Sequence, residues 1–90
     1  MLFANRSTQF KRDLKLAEKR GRDVSKIKTI MAKLANEEPL DSKFKDHKLG
    51  GDYINHRECH VEPDWLLIYR VKNNDITFVR TGTHSDLFKN

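Results

Sequence analysis

Four histidines lie in the second half of this 90-residue chain, close to the predicted breaks between strands. Imidazole titrates near neutral pH, so each of them can take or give a proton in a reaction. A single histidine is more often a hydrogen-bonded structural residue, but a group around one set of strands favours an acid–base site. The four are His47, His56, His60 and His84.

Two carboxylates accompany the histidines in the segment HVEPDW, where Glu62 and Asp64 flank Pro63. The simpler interpretation is a turn, because Asp after Pro is a favoured turn residue. The functional interpretation places Asp64 at the mouth of a site, where it orients or charges a histidine. The two roles are compatible, and the residues alone favour the turn.

Aromatic and arginine side chains near the same segments offer contacts to a nucleic acid. Trp65 and Phe88 can pack in a core or stack on a nucleobase. Arg80, like Arg57 and Arg70, lies on a predicted strand and can hold a phosphate or form a surface salt bridge. Both interpretations stay open for each residue.

The motif content argues against several common designs. The only cysteine, Cys59, cannot form an intramolecular disulfide, and it would point away from its neighbour His60 on a strand, so one metal ion could not easily bind both. No CxxC or HExxH spacing is present, and neither is a GxxxxGK[ST], GxGxxG or GxSxG motif. We therefore predict no metal and no cofactor.

Two amphipathic helices precede the histidine-bearing half. The first begins at a cap provided by Ser7 or Thr8 and stops at Gly21, and the second begins near Asp23 or Ser25. Apolar residues recur along both helices at three- and four-residue steps. They are Phe10, Leu14 and Ala17 in the first helix, and Val24, Ile27, Ile30, Met31 and Leu34 in the second.

The strands are predicted from alternating or continuous apolar segments. A short strand over residues 2–5 precedes the helices, and a polar loop over residues 37–51, whose proline ends the second helix, follows them. Residues 53–61 alternate between two faces, residues 65–71 are apolar enough for a central strand, and residues 76–82 form the last strand.

The resulting order is β-α-α-β-β-β, which predicts one α+β domain over residues 1–90 with two N-terminal helices packed on an antiparallel β-sheet. The apolar residues of the sheet would face the helices, and the other face would be free to carry the site. The net charge of +5, from 18 Lys and Arg against 13 Asp and Glu, suits an anionic partner or aids solubility. No segment has membrane-spanning length, and MLFANRSTQF does not resemble a secretion signal, so we expect a cytoplasmic protein that contacts no membrane.

Three segments together resemble the YafQ-like branch of the RelE/ParE superfamily, the toxins of bacterial type II toxin–antitoxin modules. They are KDHKLGG at 45–51, HRECHVEPDWLLIYRV at 56–71 and FVRTGTHSDLF at 78–88. The resemblance runs from the first helix to the C-terminus and is most specific in the second half. It implies a RelE-like microbial RNase fold, and an endoribonuclease that cuts translated mRNA in the ribosomal A site without a metal.

The resemblance also assigns roles to particular residues. We expect His84 to act as general acid, with His60 or Asp64 as base or as the group that orients it, and His47 to contact the phosphate or share the proton transfer. His56 has no matching position. By the same resemblance, the catalytic residues are His47, His60, Asp64 and His84, and the residues that support the site or hold mRNA are Trp65, Arg80 and Phe88.

The resemblance further implies a cognate antitoxin, in a complex with two copies of each protein, besides the ribosome and mRNA as partners. Three other functions stay open. A ParE-like gyrase poison has the same scaffold, but it is not expected to carry this set of histidines and aspartate. A noncatalytic basic module would bind RNA or protein without the histidines, and a degenerate toxin would bind only its antitoxin.

Overall fold

The computed structural model describes residues 1–88, which contain five strands and three α-helices. Short 3₁₀ turns over Ser42–Phe44 and Gly51–Tyr53 flank the second strand. In chain order the elements are β1 (Phe3–Arg6), α1 (Thr8–Lys19), α2 (Val24–Ala35), β2 (His47–Lys48), β3 (Arg57–Glu62), β4 (Trp65–Lys72), β5 (Asp75–Gly82) and α3 (His84–Leu87).

Both long helices begin at predicted caps. The Ser7 hydroxyl accepts the backbone N–H of Phe10 at 2.9 Å, and the Asp23 carboxylate accepts that of Ser25 at 3.0 Å. Each side chain satisfies one of the N–H groups that a first helical turn leaves without an intrahelical partner. Gly21, with φ +84°, closes α1 as predicted.

The second helix ends earlier than predicted, at Ala35 rather than at Pro39. Glu37 adopts a left-handed φ of 58°, and the N–H groups of Glu37 and Glu38 bond back to the carbonyls of Leu34 and Lys33. This Schellman arrangement normally carries glycine at the left-handed position. A glutamate there gives no sequence signal, so the sequence indicates the proline as the end of the helix.

The sheet has the order β1-β5-β4-β3-β2. Strands β3, β4 and β5 form the predicted antiparallel meander, and β2 adds an antiparallel edge. Strand β1 pairs in parallel with β5, with Phe3 opposite Asp75, so the complete sheet is mixed. Periodicity marks β1 as a strand but cannot indicate its partner, which lies about seventy residues away along the chain.

The central strand β4 is buried on both faces, as its continuous apolar sequence predicts. On the helix side it contributes to a core with α1, α2 and β5; on the other side Leu66 and Ile68 pack against Leu87 of α3. This second face is therefore partly covered, because α3, which was not predicted, closes over it. The helix-side core residues are Phe10, Ala17, Ile27, Ile30, Met31, Cys59, Val61, Trp65, Leu67, Tyr69, Ile76 and Phe78.

The connection before β3 also differs from the prediction. Residues 37–51 contain the two-residue strand β2, and β3 begins only at Arg57 rather than at residue 53. Asn55 adopts a left-handed φ of 70°, and a turn from Tyr53 back to Gly50 holds this segment out of the strand. Within residues 1–88, no helix is both long enough and apolar enough to cross a membrane.

Candidate active site

The turn between β3 and β4 brings Asp64 against the first residue of α3, His84. Oδ1 of Asp64 accepts the backbone N–H of His84 at 3.0 Å and lies 2.6 Å from Nδ1 of the same residue. These two hydrogen bonds, the backbone one first, hold the pKa of Asp64 below its usual range. Because a carboxylate only accepts, Nδ1 of His84 carries the proton, and Nε2 is left to exchange a proton with a ligand.

A reciprocal cap fixes the start of α3. The Thr83 hydroxyl accepts the Asp86 N–H at 3.1 Å, and the Asp86 carboxylate accepts the Thr83 N–H at 3.0 Å. Arg20, the residue that caps the end of α1, donates to Asp86 at 2.8 Å and, with the Thr83 bonds, lowers the pKa of Asp86 to about 2. His84 is thereby tied both to helix α1 and to the β3–β4 turn.

Arg22, just beyond α1, stabilises that turn from the other side. Its guanidinium donates to Glu62 at 3.1 Å and to the carbonyl of Asp64 at 3.4 Å. It also lies 5.4 Å from the ring centroid of Trp65, within reach of a cation–π contact. Sequence reasoning assigned Arg22 no role of its own, since nothing in the sequence connects the end of α1 with a turn forty residues later.

Three of the predicted histidines form a row along this edge of the molecule. The ring of His60 on β3 lies between the other two, with centroids 5.8 Å from His84 and 6.2 Å from His47. The fourth, His56, lies apart: its Nδ1 donates to the Ile54 carbonyl at 3.0 Å and its ring meets Tyr53 edge-on. The structure thus brings three of the predicted catalytic residues, here called the histidine row (His47, His60 and His84), close together, and their catalytic role stays a prediction.

A buried carboxylate that sequence reasoning did not single out lies behind the row. Glu58 is only 4% exposed, and its Oε2 is 3.2 Å from Nε2 of His47. The other ring nitrogen, Nδ1, donates to the Lys45 carbonyl at 2.6 Å. Both nitrogens of the His47 ring therefore face an oxygen atom, which fixes the orientation of the ring. The period of two along β3, which places Glu58 and His60 on one face, was the available signal.

Asp46 anchors the segment that carries His47. Its carboxylate accepts the Tyr69 hydroxyl at 2.6 Å and the Nε–H of Arg57 at 3.2 Å. Burial, with the neighbouring Asp46 carboxylate, raises the pKa of Tyr69. Lys45 adopts a left-handed φ of 50° and turns the chain there. Because the edge strand β2 is only two residues long, the contacts of Asp46 with Tyr69 and Arg57 are a main reason that His47 stays in position.

The three predicted substrate-binding residues fall into different environments. Trp65 has no exposed surface and lies in the helix-side core, which favours the core-packing alternative and a supporting role over stacking on a base. Arg80 donates from Nε and Nη2 to Asp13 of α1 at 2.8 and 3.1 Å, and this pairing raises the pKa of Arg80. Phe88 is 38% exposed and meets Tyr53 edge-on, so its ring remains accessible to a ligand.

A metal could reach one part of the site. Glu58, His60 and His84 each offer one ligand atom, and these atoms lie within 4.8 Å of one another. Two imidazoles and a carboxylate suit zinc or copper better than magnesium. Cys59 is not part of this group, because it is buried on the helix side, where burial raises its pKa to about 12. The absence of a metal stays a prediction.

Comparisons with known proteins are consistent across sequence and structure. The profile of the family described as "Bacterial toxin of type II toxin-antitoxin system, YafQ" matches residues 3–89. The mRNA interferase toxin YafQ of Escherichia coli is 47% identical over 83 residues, covering 91% of this chain and 90% of that protein.

Solved structures of relatives superpose closely. The toxin of the E. coli DinJ-YafQ toxin-antitoxin complex gives a TM-score of 0.89 at 44% identity, over 97% of each chain. A metal-bound toxin from Helicobacter pylori gives a TM-score of 0.91 at 43% identity, over 98% of this chain and 100% of that one.

Proposed function

This chain belongs to the YafQ family of bacterial toxins from type II toxin–antitoxin systems, and we propose on that premise that it is an endoribonuclease that cleaves translated mRNA in the ribosomal A site. The observation that supports this most strongly is the histidine row ending in the Asp64–His84 pair. An aligned set of proton donors and acceptors is what RNA cleavage by general acid–base catalysis requires.

The reaction needs two proton transfers. A base removes the proton of the ribose 2′-hydroxyl, the 2′-oxygen attacks phosphorus, and the bond from phosphorus to the 5′-oxygen breaks. An acid then protonates the leaving 5′-oxygen, giving a 2′,3′-cyclic phosphate and a 5′-hydroxyl. Nε2 of His84 is the acid in our proposal, because the hydrogen bond from Nδ1 to Asp64 orients the ring and leaves Nε2 to give the proton. Since Asp64 is engaged in this way, His60 is the better candidate for the base.

Positive charge next to the phosphate would lower the barrier further, because negative charge builds up there in the transition state. In our proposal His47 contacts the phosphate when its Nε2 exchanges the Glu58 carboxylate for a phosphate oxygen, while Nδ1 stays bound to the Lys45 carbonyl. Arg80 contributes less than its charge suggests, because two of its three guanidinium nitrogens are bound to Asp13. Its remaining nitrogen, Nη1, can still meet the substrate.

We propose that the reaction needs no metal, because the histidine row supplies both proton-transfer groups. The three groups that could bind zinc or copper include the proposed acid and base, so an ion there would displace the protons that the reaction uses.

The relatives also suggest the partners. The E. coli toxin forms a toxin-antitoxin complex with DinJ, and we propose that this chain binds a cognate antitoxin, with two copies of each protein. A net charge of +5 suits an acidic antitoxin segment as well as ribosomal RNA. The protein would act as a single toxin domain over residues 1–90 in the cytoplasm, where ribosomes and mRNA are found.

The test is mRNA cleavage in a reconstituted translation system, mapped by primer extension. We expect cuts within the codon that occupies the A site, and none when ribosomes are omitted. Cleavage should persist with 1,10-phenanthroline, which chelates zinc and copper but leaves the magnesium that ribosomes need. A folded protein that leaves mRNA intact would contradict the proposal and make DNA supercoiling by gyrase the next assay.

A further inference from the structure

A groove of about 590 Å³ opens between α2 and the free edge of β3. Strand β2 covers only Arg57 and Glu58, so beyond them no strand of the described residues covers this side of β3. His60 lines the groove and also stands in the centre of the histidine row. A ligand bound in the groove would therefore lie directly beside the proposed reaction centre.

The charges around the groove favour an anionic ligand. Lys26, Lys43 and Lys45 line it, and Glu62 is the only carboxylate among its described lining residues. Glu62 is already engaged, because Lys26 and Arg22 each donate to it at 3.1 Å and lower its pKa. Within residues 1–88, neither Lys43 nor Lys45 forms a salt bridge, so two cations are available to a ligand.

The groove also has an aromatic wall. Phe44 is half-buried, packs against the helix-side core and lines the groove next to Val61. Nζ of Lys43 lies 5.2 Å from the centroid of the Phe44 ring, so one of the two cations stands directly beside this ring. An aromatic surface with cations on one side is the usual composition of a site for a single-stranded nucleotide.

We infer that this groove binds the nucleotide adjacent to the cleaved bond, with its base on Phe44 and its phosphate between Lys43 and Lys45. The volume is in the range of sites that enclose a small ligand. The inference rests on the proposed function, since it takes RNA to be the substrate. It adds Phe44, Lys43 and Lys45 as recognition residues beside His60, which the groove shares with the proposed reaction centre.

Binding can be tested without cleavage. The probe is a 2′-O-methyl trinucleotide, which lacks the attacking hydroxyl, titrated into the ¹⁵N-labelled protein. We expect amide shifts at residues 43–45 and 60–62, and affinity about fivefold or more weaker in Phe44→Leu and in Lys43→Gln/Lys45→Gln. The matched control Lys28→Gln/Lys33→Gln removes two exposed α2 charges outside the groove and should change affinity less than twofold.

Three results would overturn the inference. One is an equal loss of trinucleotide affinity in the two double-lysine variants, which would indicate nonspecific attraction to a basic protein. Another is a set of shifts confined to His47 and His84. The third is tighter, lysine-dependent binding of an acidic peptide with none of the trinucleotide, which would assign the groove to a protein partner.

Cleavage kinetics show whether a negative result refutes this inference or the proposed function. In the translation system, Phe44→Leu should raise the half-saturating toxin concentration about fivefold and leave the rate at saturation unchanged. Normal kinetics in Phe44→Leu, with active wild type, would refute the groove alone. An inactive wild type that still binds the trinucleotide at residues 43–45 would refute the proposed function and retain the groove as an RNA site.

Discussion

Arg80 of β5 makes a two-pronged ion pair with Asp13 of α1, whose side chain is 7% exposed. The same carboxylate accepts the backbone N–H of Thr81 at 3.2 Å. The pair therefore joins the first helix to the strand that leads into His84. It makes Arg80 first of all a structural residue, which agrees with the supporting role that the resemblance leaves open beside a contact to mRNA.

Asp13→Ala should lower the free energy of unfolding by ~3 kcal/mol, because it leaves Arg80 and the Thr81 N–H without their partner. Urea denaturation followed by circular dichroism measures this loss. Glu18→Ala, at an exposed position of the same helix, is the matched control and should change stability by less than about 0.5 kcal/mol. Equal stability of the two variants would mean that the ion pair does not support the fold.

Glu58→Gln should alter the contact with Nε2 of His47, because it replaces a carboxylate oxygen 3.2 Å away by an uncharged amide. The ¹⁵N shifts of the His47 ring at neutral pH report this directly, and cleavage should fall about tenfold or more. Glu62→Gln changes another carboxylate on the same strand and should leave the His47 signals as they are. Unchanged His47 signals in Glu58→Gln would show that Glu58 does not interact with the His47 ring in solution.

Asp86 gives a pH dependence of stability with a definite sign. Its folded pKa of about 2 lies below the ordinary value of 3.8, so its contribution is complete above the ordinary value and is lost as pH falls towards 2. The difference in unfolding free energy between wild type and Asp86→Asn should be constant from pH 7 to about pH 5 and should disappear near pH 2. Urea denaturation at a series of pH values measures it, and a difference that grows on acidification would contradict the assignment.

Substitutions of Trp65 and Phe88 should have different effects, the first on stability and the second on substrate binding. Trp65→Phe removes a fully buried side chain from the core and should cost about 2 kcal/mol of stability with no change in the half-saturating concentration for cleavage. Phe88→Leu should leave stability within about 0.5 kcal/mol and raise that concentration about fivefold or more, through loss of stacking. The reverse pattern would indicate that Trp65, and not Phe88, contacts the substrate.

The sequence correctly predicts those features of the fold that depend on the local pattern of residue types. The caps at Ser7 and Asp23, the doubly buried strand β4 and the turn at Asp64 all follow from residue type and period. The features that were missed depend on contacts between distant segments or on uncommon backbone conformations. Glu37 ends α2 in a glycine-like conformation, and β1 finds a parallel partner at the opposite end of the chain.

The site divides in the same way. The resemblance supplied the histidine row, and the structure brings the three rings side by side. The sequence does not indicate the roles of Glu58 and Asp46, because a carboxylate on a strand or in a loop is ordinarily solvated. Only the fold reveals that one is buried behind His47 and that the other binds Tyr69.

The central claim is that His84, held by Asp64, protonates the leaving 5′-oxygen. The most direct test is single-turnover cleavage of an mRNA in which sulfur replaces that oxygen at the cut site, because a thiolate leaves without being protonated. With the natural linkage, His84→Ala should cleave about 10²–10⁴-fold more slowly than wild type. With the sulfur linkage, the two proteins should agree within about tenfold. An equally large loss with both linkages would contradict the claim and assign His84 to another role.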